Sequence, residues 1–312
     1  MKRILLLLTP FLLITLSFKV FKPAKEVSAK PRVCLTYDDG STFDMPGYSW
    51  KSWDNLLLES LKKNKVQAVF FAAGMYLDND KGKRILSDWS AQGHLIANHT
   101  YSHKSYNKPE TTYAFFTNDF LKNDSIINSY ANYTKLFRFP YLKEGETVEK
   151  RDSFRAFLKE QGYKNGYVTI DASDWYVNSR LLKRLKQNPE ADIESYKQFY
   201  LEHIYDRAVY YNTLSIELTG RQISHSLLLH HNLASALFTD DLIAMFKAKG
   251  WEVINAGEAY QDEIYTKTPD PMPAGESLIW ALAKEKGTYE SRLRYPAEDG
   301  KYEEAKMDKL GL

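Results

Sequence analysis

The stretch from Arg32 to Gly40 reads RVCLTYDDG. A mostly apolar run of this length, closed by two aspartates and a glycine, indicates a buried strand that ends at the edge of a sheet. Further runs of strand character follow at residues 66–72, 94–98, 136–139, 166–170, 226–230 and 251–256. Helical patterns lie between them, and three of these stop before Gly93, Gly162 and Gly250. This alternation predicts an α/β fold with about seven strands, closer to a barrel than to a sandwich.

Two segments depart from the alternation. Residues 174–222 contain no strand pattern and residues 192–218 are typical of one long helix, so a helical insertion at about 176–222 is expected before the last motif strand. Residues 288–312 are polar and charged, which predicts a loosely held C-terminal tail. Residues 30–287 show no repeat and no low-complexity linker, and we expect them to form one domain.

Residues 1–29 are typical of an export signal. Lys2 and Arg3 precede an apolar run over residues 4–18, and small residues at 27–29 offer a cleavage site before Lys30. The apolar run is shorter than the roughly 20 residues that a bilayer span requires. The lysine-bearing stretch at 19–25 leaves open the alternative of an uncleaved membrane anchor through residues 4–18. Under either hypothesis the rest of the chain acts outside the cytoplasm, in the periplasm or the medium.

The composition excludes several classes of protein. With 312 residues, 44% hydrophobic and 26% charged, the chain is an ordinary globular protein and not a disordered or collagen-like one. Lys and Arg number 42 against 40 Asp and Glu, so no basic field argues for a nucleic-acid partner. The single cysteine, Cys34, excludes an intramolecular disulfide and a multi-thiolate zinc site. Nothing in the sequence indicates the oligomeric state.

Two short motifs carry the residue types of a metal site. Asp38 and Asp39 follow the first strand, and the freedom of Gly40 to bend the backbone would turn both carboxylates toward one cleft. His99 and His103 are four residues apart, the spacing that places two imidazoles on one face of a helical turn. Two histidines and a carboxylate form a three-ligand set with a position left for water. The set suits a zinc hydrolase and also an iron oxygenase, and both remain open at this point.

Three further motifs lie after later strands: Arg138–Tyr141 (RFPY), Asp171–Trp175 (DASDW) and Leu227–His231 (LLLHH). Taken singly, each has a structural interpretation: a strand-ending turn, a helix cap with a core tryptophan, and a buried histidine. However, all five motifs directly follow predicted strands. A parallel barrel collects such positions at one rim, where barrels of this kind keep their active sites.

The ordered set TYDDG, HTYSH, RFPY, DASDW and LLLHH resembles the five motifs of the polysaccharide deacetylases, also called the NodB-homology or carbohydrate esterase family 4 domain. The resemblance spans Arg32 to about Ala256. It implies a distorted (β/α) barrel and hydrolysis of acetyl groups from an acetylated polysaccharide or oligosaccharide. In this family the acetyl group is usually an N-acetyl of a glucosamine polymer and sometimes an O-acetyl of xylan. The alternative from a different class of function is a relative that binds glycans without catalysing a reaction.

The resemblance also implies the metal and the base. One divalent ion, expected to be Zn²⁺, would be bound by Asp39, His99 and His103. Asp38 would act as the general base, oriented by Arg138.

The acid and the walls of the site follow from the remaining motifs. The backbone N–H of Tyr141 would stabilise the oxyanion, and His230, supported by Asp174, would be the general acid. Trp175 and Leu228 would contact the acetyl methyl group.

Some features depart from the family pattern. Tyr37 replaces the more common Phe, and RFPY continues into residues 142–145 (LKEG) without an immediate glycine. The segment 174–222 is longer than the usual connection and is expected to reshape the substrate groove. His231 adjoins His230, so two histidines compete for the role of acid, and the Leu228-x-His230 spacing favours His230.

Overall fold

The computed structural model describes residues 29–312. The predicted export signal and its alternative, the membrane anchor, lie outside the described residues. Within 29–312, no helix has both the length and the apolar character that a membrane span needs. The strands are β1 (Arg32–Asp39), β2 (Val69–Ala72), β3 (Leu95–Asn98), β4 (Tyr133–Phe137), β5 (Lys143–Gly145), β6 (Lys164–Asn165), β7 (Ser224–His230), β8 (Glu252–Val253) and β9 (Ala274–Gly275). The helices are α1 (Trp50–Asn64), α2 (Gly74–Leu77), α3 (Asp80–Ala91), α4 (Tyr113–Ile127), α5 (Val148–Glu160), α6 (Asp174–Gln187), α7 (Glu194–Thr219), α8 (Leu233–Ala248), α9 (Ala256–Ala259), α10 (Leu278–Lys286) and α11 (Lys301–Leu310).

Seven strands form one parallel sheet in the order β6-β4-β3-β2-β1-β7, with β8 also paired to β1. The central strand β1 is buried along nearly its whole length, as its apolar run predicts. β5 and β9 form a separate antiparallel pair. The predicted α/β architecture is therefore confirmed.

The sheet curls toward closure through the segment that follows β6. The Gly166 N–H donates to the Phe137 carbonyl, and the Leu228 N–H donates to the Ile170 carbonyl. This segment was predicted as a regular strand over 166–170, and that prediction was wrong. Thr169 and Ile170 both donate to one carbonyl of β7, so the ladder is irregular and a single bridge joins it to β7. The result is the distorted barrel that the family resemblance implies.

Local signals in the sequence explain where the helices begin and end. Ser49, Thr112, Thr147 and other N-cap side chains accept the backbone N–H three residues later. The predicted stops at Gly93, Gly162 and Gly250 are confirmed, since each glycine follows a helix end and adopts a positive φ.

The predicted insertion is helical, and it contains two helices. The long helix expected at 192–218 is α7, which ends before Gly220 at φ 73°. A second helix, α6, precedes it and begins at Asp174 itself. The insertion therefore starts directly at a motif residue and fixes the direction of the chain there.

The expectation of a loosely held tail at 288–312 was wrong. This segment contains α11, and its Met307, Glu303 and Leu312 are buried. The polar character of the segment misled the prediction because its charges have partners elsewhere in the chain. Glu298 contacts Arg207 of α7 at 2.8 Å, and Arg180 of α6 contacts α11 at 2.6 Å. The C-terminal segment therefore packs on the helical insertion.

This packing gives a stability prediction. Met307 is fully buried, so the substitution Met307→Ala leaves a cavity and should lower the free energy of unfolding by about 2–4 kcal/mol. Leu310 lies on the same helix but is 63% exposed, and Leu310→Ala should cost less than about 0.5 kcal/mol. Denaturant unfolding of both variants measures the difference. Equal, small effects would mean that α11 is not part of the cooperative fold.

Candidate active site

Asp38 and Asp39 lie at the carboxyl end of β1, and both carboxylates face the same cavity. Adjacent residues of a regular strand face opposite sides, so the backbone must turn here. The turn begins at Asp39, whose φ is 76°, one residue earlier than the glycine that was expected to supply it. Gly40 continues the turn at φ 119°, and a Cβ atom there would lie 2.7 Å from the Leu77 side chain. Other residues at position 40 would therefore be strained.

His99 and His103 follow β3 in a loop, and the expected helical turn between them is absent. Thr100 and His103 adopt φ values of 60° and 50°, which fold the loop back on itself. The carboxylate of Asp119 fixes this loop by accepting the backbone N–H of Ser102 at 3.0 Å. The prediction that the two imidazoles converge is supported by the geometry, but the helical reason given for it was wrong.

The three predicted metal ligands form one cluster. Oδ1 of Asp39 lies 3.0 Å from Nε2 of His103 and 3.4 Å from Nε2 of His99. All three ligand atoms are within 4.8 Å of one another. The other ring nitrogen of His99, Nδ1, is 2.8 Å from the carbonyl of Arg138, and this contact orients its Nε2 toward the cluster.

The chemistry of this cluster fits a divalent ion. Asp39 Oδ1 is buried and makes no hydrogen bond of good geometry to any residue in 29–312. Burial alone would raise the pKa of Asp39, but the neighbouring His103 and His99 hold this pKa well below its usual range. Two imidazole nitrogens and one ionised carboxylate are the donor set of open zinc sites. Their separation leaves room for an ion between them.

Asp38 is fixed by the buried guanidinium of Arg138. Arg138 Nη1 lies 2.5 Å from Asp38 Oδ1, and it also donates to the hydroxyl of Thr36 at 2.8 Å. Its Nη2 donates to the Tyr260 hydroxyl, and its plane lies 3.9 Å from the Phe71 ring centre. With every side of the guanidinium occupied, Asp38 has one fixed oxygen, Oδ1, while Oδ2 faces the cluster at 3.7 Å from Nε2 of His99.

His230 lines the same cavity and is hydrogen-bonded to Asp174. Nδ1 of His230 lies 2.6 Å from Oδ1 of Asp174, and the other Asp174 oxygen accepts the backbone N–H of His230 at 2.9 Å. Asn232 donates to the same oxygen. Burial opposes the charge on His230, but the carboxylate of Asp174 more than offsets this and raises the pKa of His230 to about 10. This shift favours the protonated form of His230 at neutral pH.

The competing histidine, His231, points to the other side of β7. Its Nε2 contacts Asp54 at 2.9 Å, and its Nδ1 accepts the backbone N–H of Ser41 at 3.1 Å. Its ring packs 4.5 Å from that of Trp53. Both nitrogens are occupied within the core, so the geometry leaves His230 as the histidine that faces the cavity.

The His230–Asp174 pair predicts a dependence of stability on pH. The folded pKa of about 10 lies above the ordinary value of 6.5. The pair therefore stabilises the fold fully below pH 6.5, and this contribution is lost as the pH rises toward 10. In Asp174→Asn the pKa of His230 should fall toward its ordinary value. NMR titration of His230 checks the fall, and unfolding at several pH values should show the two proteins converging in stability as the pH increases. An unchanged titration would contradict the role of Asp174.

Four predicted site residues of the later motifs, Tyr141, Trp175, Leu228 and His230, line this cavity, whereas Arg138 and Asp174 lie behind it and contact lining residues. The cavity has a volume of about 560 Å³. Trp175 is 42% exposed at its edge and not a core residue, Leu228 lines it, and Tyr141 is 61% exposed with its ring 4.6 Å from that of His103. Tyr141 adopts φ 58°, a left-handed turn that follows Pro140. Tyr76 of α2, which sequence reasoning missed, adds a second tyrosine to the same wall.

Sequence reasoning also missed a charged wall of the cavity. Its members are Lys143, Asp171, Glu276, Glu298 and Asp299. Asp171 stands in the DASDW motif and Lys143 in the departure after RFPY, so both were within reach of the motif analysis. Glu298 and Asp299 belong to the supposed tail, and no local pattern there points to the cavity.

A second group with metal-ligand character does not fit an ion. His203, Glu298 and Glu303 have ligand atoms within 4.8 Å of one another. However, Arg207 contacts Glu298 at 2.8 Å and Arg294 contacts it at 2.9 Å. These guanidinium groups supply the counter-charge, and a further cation would be repelled. The group is a polar network that holds the C-terminal segment on α7.

The comparison with protein families agrees with this geometry. Residues 25–166 match the sequence profile of the family described as polysaccharide deacetylase. This segment, somewhat less than half of the 312-residue chain, is similar to the polysaccharide deacetylase family. The matched segment contains the aspartate pair, both candidate histidine ligands and Arg138, whereas Asp174 and His230 lie beyond its end. The fold places His230 beside the aspartate pair, as the register partner of Asp38 on the neighbouring strand β7.

Curated relatives match part of the chain. The peptidoglycan-N-acetylglucosamine deacetylase of Bacillus cereus is 31% identical over 147 residues, which is 47% of this chain and 47% of that protein. An uncharacterised 30.6 kDa protein of Geobacillus stearothermophilus is 28% identical over 156 residues, 49% of this chain and 51% of that protein. The chain thus spans about half the length of the curated relatives it matches.

Two solved deacetylase structures are similar to this chain in fold. The Bc1960 peptidoglycan N-acetylglucosamine deacetylase superimposes with a TM-score of 0.52 at 21% identity, over 74% of this chain and 89% of that one. The chitin deacetylase of Colletotrichum lindemuthianum gives a TM-score of 0.51 at 21% identity, over 75% and 88%. At such identity the likeness concerns the fold, a curled parallel sheet.

Proposed function

We propose that this protein is a metal-dependent carbohydrate deacetylase that removes acetyl groups, chiefly N-acetyl groups, from a glycan of the cell envelope. One observation carries the proposal. Asp38, held by Arg138, lies beside the Asp39–His99–His103 cluster, and a protonated histidine, His230, lines the same cavity. A base, a metal site and an acid around one cavity are the groups that hydrolysis of an acetyl group requires.

Asp39, His99 and His103 would hold the ion, and Zn²⁺ is the ion that this donor set favours. When bound, such an ion lowers the pKa of water and polarises a carbonyl. The protein contributes the orientation of its ligands: the Arg138 carbonyl holds the ring of His99, and the left-handed turn at Asp39 aims its carboxylate.

Asp38 is assigned as the general base. Its Oδ1 is fixed by Arg138, so Oδ2 is the oxygen that accepts the proton of the attacking water. The backbone N–H of Tyr141 is assigned as the hydrogen-bond donor to the oxyanion, and an ion held by Asp39, His99 and His103 would add positive charge nearby.

His230 is assigned as the general acid. Its Nδ1 is engaged by Asp174, which leaves Nε2 to donate a proton to the departing amine or alcohol. The raised pKa keeps this proton available at neutral pH. Trp175 and Leu228 supply apolar surface for the acetyl methyl group, and Tyr76 and Tyr141 supply rings on which a sugar can stack.

The substrate and the place of action follow from weaker signals. The names of the relatives and the aromatic wall support a glucosamine-containing polymer, with O-acetyl glycans as the alternative. The charged and apolar pattern of residues 1–29 supports action outside the cytoplasm, in the cell envelope.

Two other classes of function fit the site less well. An iron oxygenase would use the same two histidines and one carboxylate, but it has no need of the Asp38–Arg138 and His230–Asp174 pairs. A glycan-binding protein without activity would not need a fixed base and a protonated acid around one cavity.

Acetate release from a panel of acetylated glycans tests the proposal. The panel contains N-acetylglucosamine oligomers, peptidoglycan and O-acetylated xylan, each with and without a chelator and with oxygen uptake followed in parallel. We expect acetate release that the chelator abolishes and Zn²⁺ restores, with no oxygen consumed. Oxygen uptake, or acetate release that is indifferent to the chelator, would overturn the proposed mechanism.

A further inference from the structure

Asp171 is a buried carboxylate with no partner in the described part of the chain. It is 5% exposed, it lines the cavity of about 560 Å³, and it makes no hydrogen bond or ion pair to any residue from 29 to 312. Buried carboxylates are almost always paired or hydrogen-bonded because the loss of hydration costs several kcal/mol. An unpaired carboxylate that faces a substrate cavity therefore indicates a group that arrives with the ligand.

The neighbouring charges explain why the protein itself does not compensate Asp171. Lys143, the one ammonium group on this wall, is engaged by Glu276. Arg207, behind the wall, is engaged by Glu298 at 2.8 Å. Glu298 and Asp299 add further carboxylates along the same side. The wall therefore presents four carboxylates and one occupied ammonium group to the cavity.

The surroundings of Asp171 also shift its pKa. Burial, followed by the charge of Glu298, raises the pKa of Asp171 to about 8, although Lys143, Arg207 and His230 act in the opposite direction. The cationic groups nearby therefore do not fully offset the burial of this carboxylate. A cation at hydrogen-bonding distance would favour the ionised form of Asp171 and pair with it, whereas an anionic group would find Lys143 and Arg207 already engaged.

We infer that Asp171 and the acidic wall beside it form a subsite for a sugar that carries a free, protonated amine next to the sugar being deacetylated. The inference rests on the proposed function, since it places the amine on a glycan bound in the same cavity. An ammonium group on glucosamine is compact and donates up to three hydrogen bonds, which suits a single buried carboxylate.

Such a subsite affects the order in which the sugars of a polymer are deacetylated. Each hydrolysis of an N-acetyl group creates the amine that this subsite binds. A polymer that has lost one acetyl group is thus a better substrate than the intact polymer, and deacetylation proceeds along neighbouring sugars.

Two kinds of measurement test the subsite. The first compares kcat/KM for three glucosamine tetramers. One is fully acetylated, and in the other two the sugar next to the reacting acetylated sugar carries a free amine, on one side or on the other. We expect a preference of about tenfold for one amine-bearing isomer, the factor that a modest charge interaction supplies. In Asp171→Asn, which keeps the shape and hydrogen-bonding capacity of the side chain, the ratio should fall to about one.

The second measurement needs no turnover. Calorimetric binding of a tetramer of glucosamine should be about tenfold weaker for Asp171→Asn than for the wild-type protein. Glu160→Gln, which removes an exposed carboxylate on α5 away from the cavity lining, is the matched control and should keep both the ratio and the affinity.

The outcomes separate the subsite from the proposed function. A wild-type ratio near one, or a ratio that Asp171→Asn leaves unchanged while both rates fall, would overturn the amine subsite and leave the deacetylase proposal standing. If no glycan releases acetate, the proposed function fails, and the binding comparison still decides whether Asp171 holds an amine.

Discussion

Asp38→Asn should abolish turnover while the metal content of the protein stays unchanged. The variant keeps the size of the side chain and a hydrogen-bond acceptor for Arg138, but the remaining amide group cannot accept a proton from water. Loss of a positioned general base lowers the rate by roughly 10²–10⁴-fold. Metal retention is expected because the cluster around Asp39 does not use Asp38. Acetate release and elemental analysis of the same dialysed sample provide the two measurements.

Because Asp38→Asn also breaks the buried Asp38–Arg138 ion pair, the stability of the variant has to be measured as a control. Arg138 and Asp38 are both buried, so Asp38→Asn removes the negative charge that faces the Arg138 guanidinium. This loss destabilises the fold. Thermal unfolding of the variant shows whether the site is still assembled at the assay temperature. A folded variant that has lost its metal would mean that Asp38 is a ligand, and the division of labour between the two aspartates would have to be reversed.

The rim of the barrel was predictable because its residues follow strand ends. Parallel strands align their carboxyl ends, so the register of β1 and β7 pairs Asp38 with His230, and Arg138 lies at the same edge after β4. The convergence of His99 and His103 was predicted for an incorrect reason. It depends on positive φ at Thr100 and His103, and a β-branched residue such as threonine rarely adopts that conformation.

The far wall of the cavity was not predictable in this way. Glu298 reaches the site only because Arg207, 91 positions earlier, lies on the inserted helix α7 and binds it. Polar residues in a terminal segment are predicted to be exposed to solvent unless their partners are known. Here those partners are far away in the sequence. Asp171 was visible in its motif, but its lack of a partner is a property of the packed structure.

His99→Ala should remove both the metal and the activity. The substitution deletes one of three protein ligands, and the two that remain, Asp39 and His103, cannot close the set around an ion. We expect a decrease in zinc occupancy to below about one tenth after dialysis and at least about a 100-fold loss of acetate release, since changes even to groups behind the ligands cost 10–100-fold. Elemental analysis and the acetate assay measure the two effects.

The matched control for this prediction is His94→Ala. His94 is also a buried imidazole close to β3, but its Nδ1 accepts the backbone N–H of Ala68 and it lies outside the cluster. If His94→Ala keeps its zinc and His99→Ala loses it, the loss is due to the ligand and not to a general weakening of the strand. Should His99→Ala fail to fold, Asp39→Asn removes the charged ligand instead and should show the same loss. A folded His99→Ala variant with full zinc occupancy would mean that the ion is bound elsewhere, and the catalytic roles of Asp38 and His230, which are assigned relative to this cluster, would lose their basis.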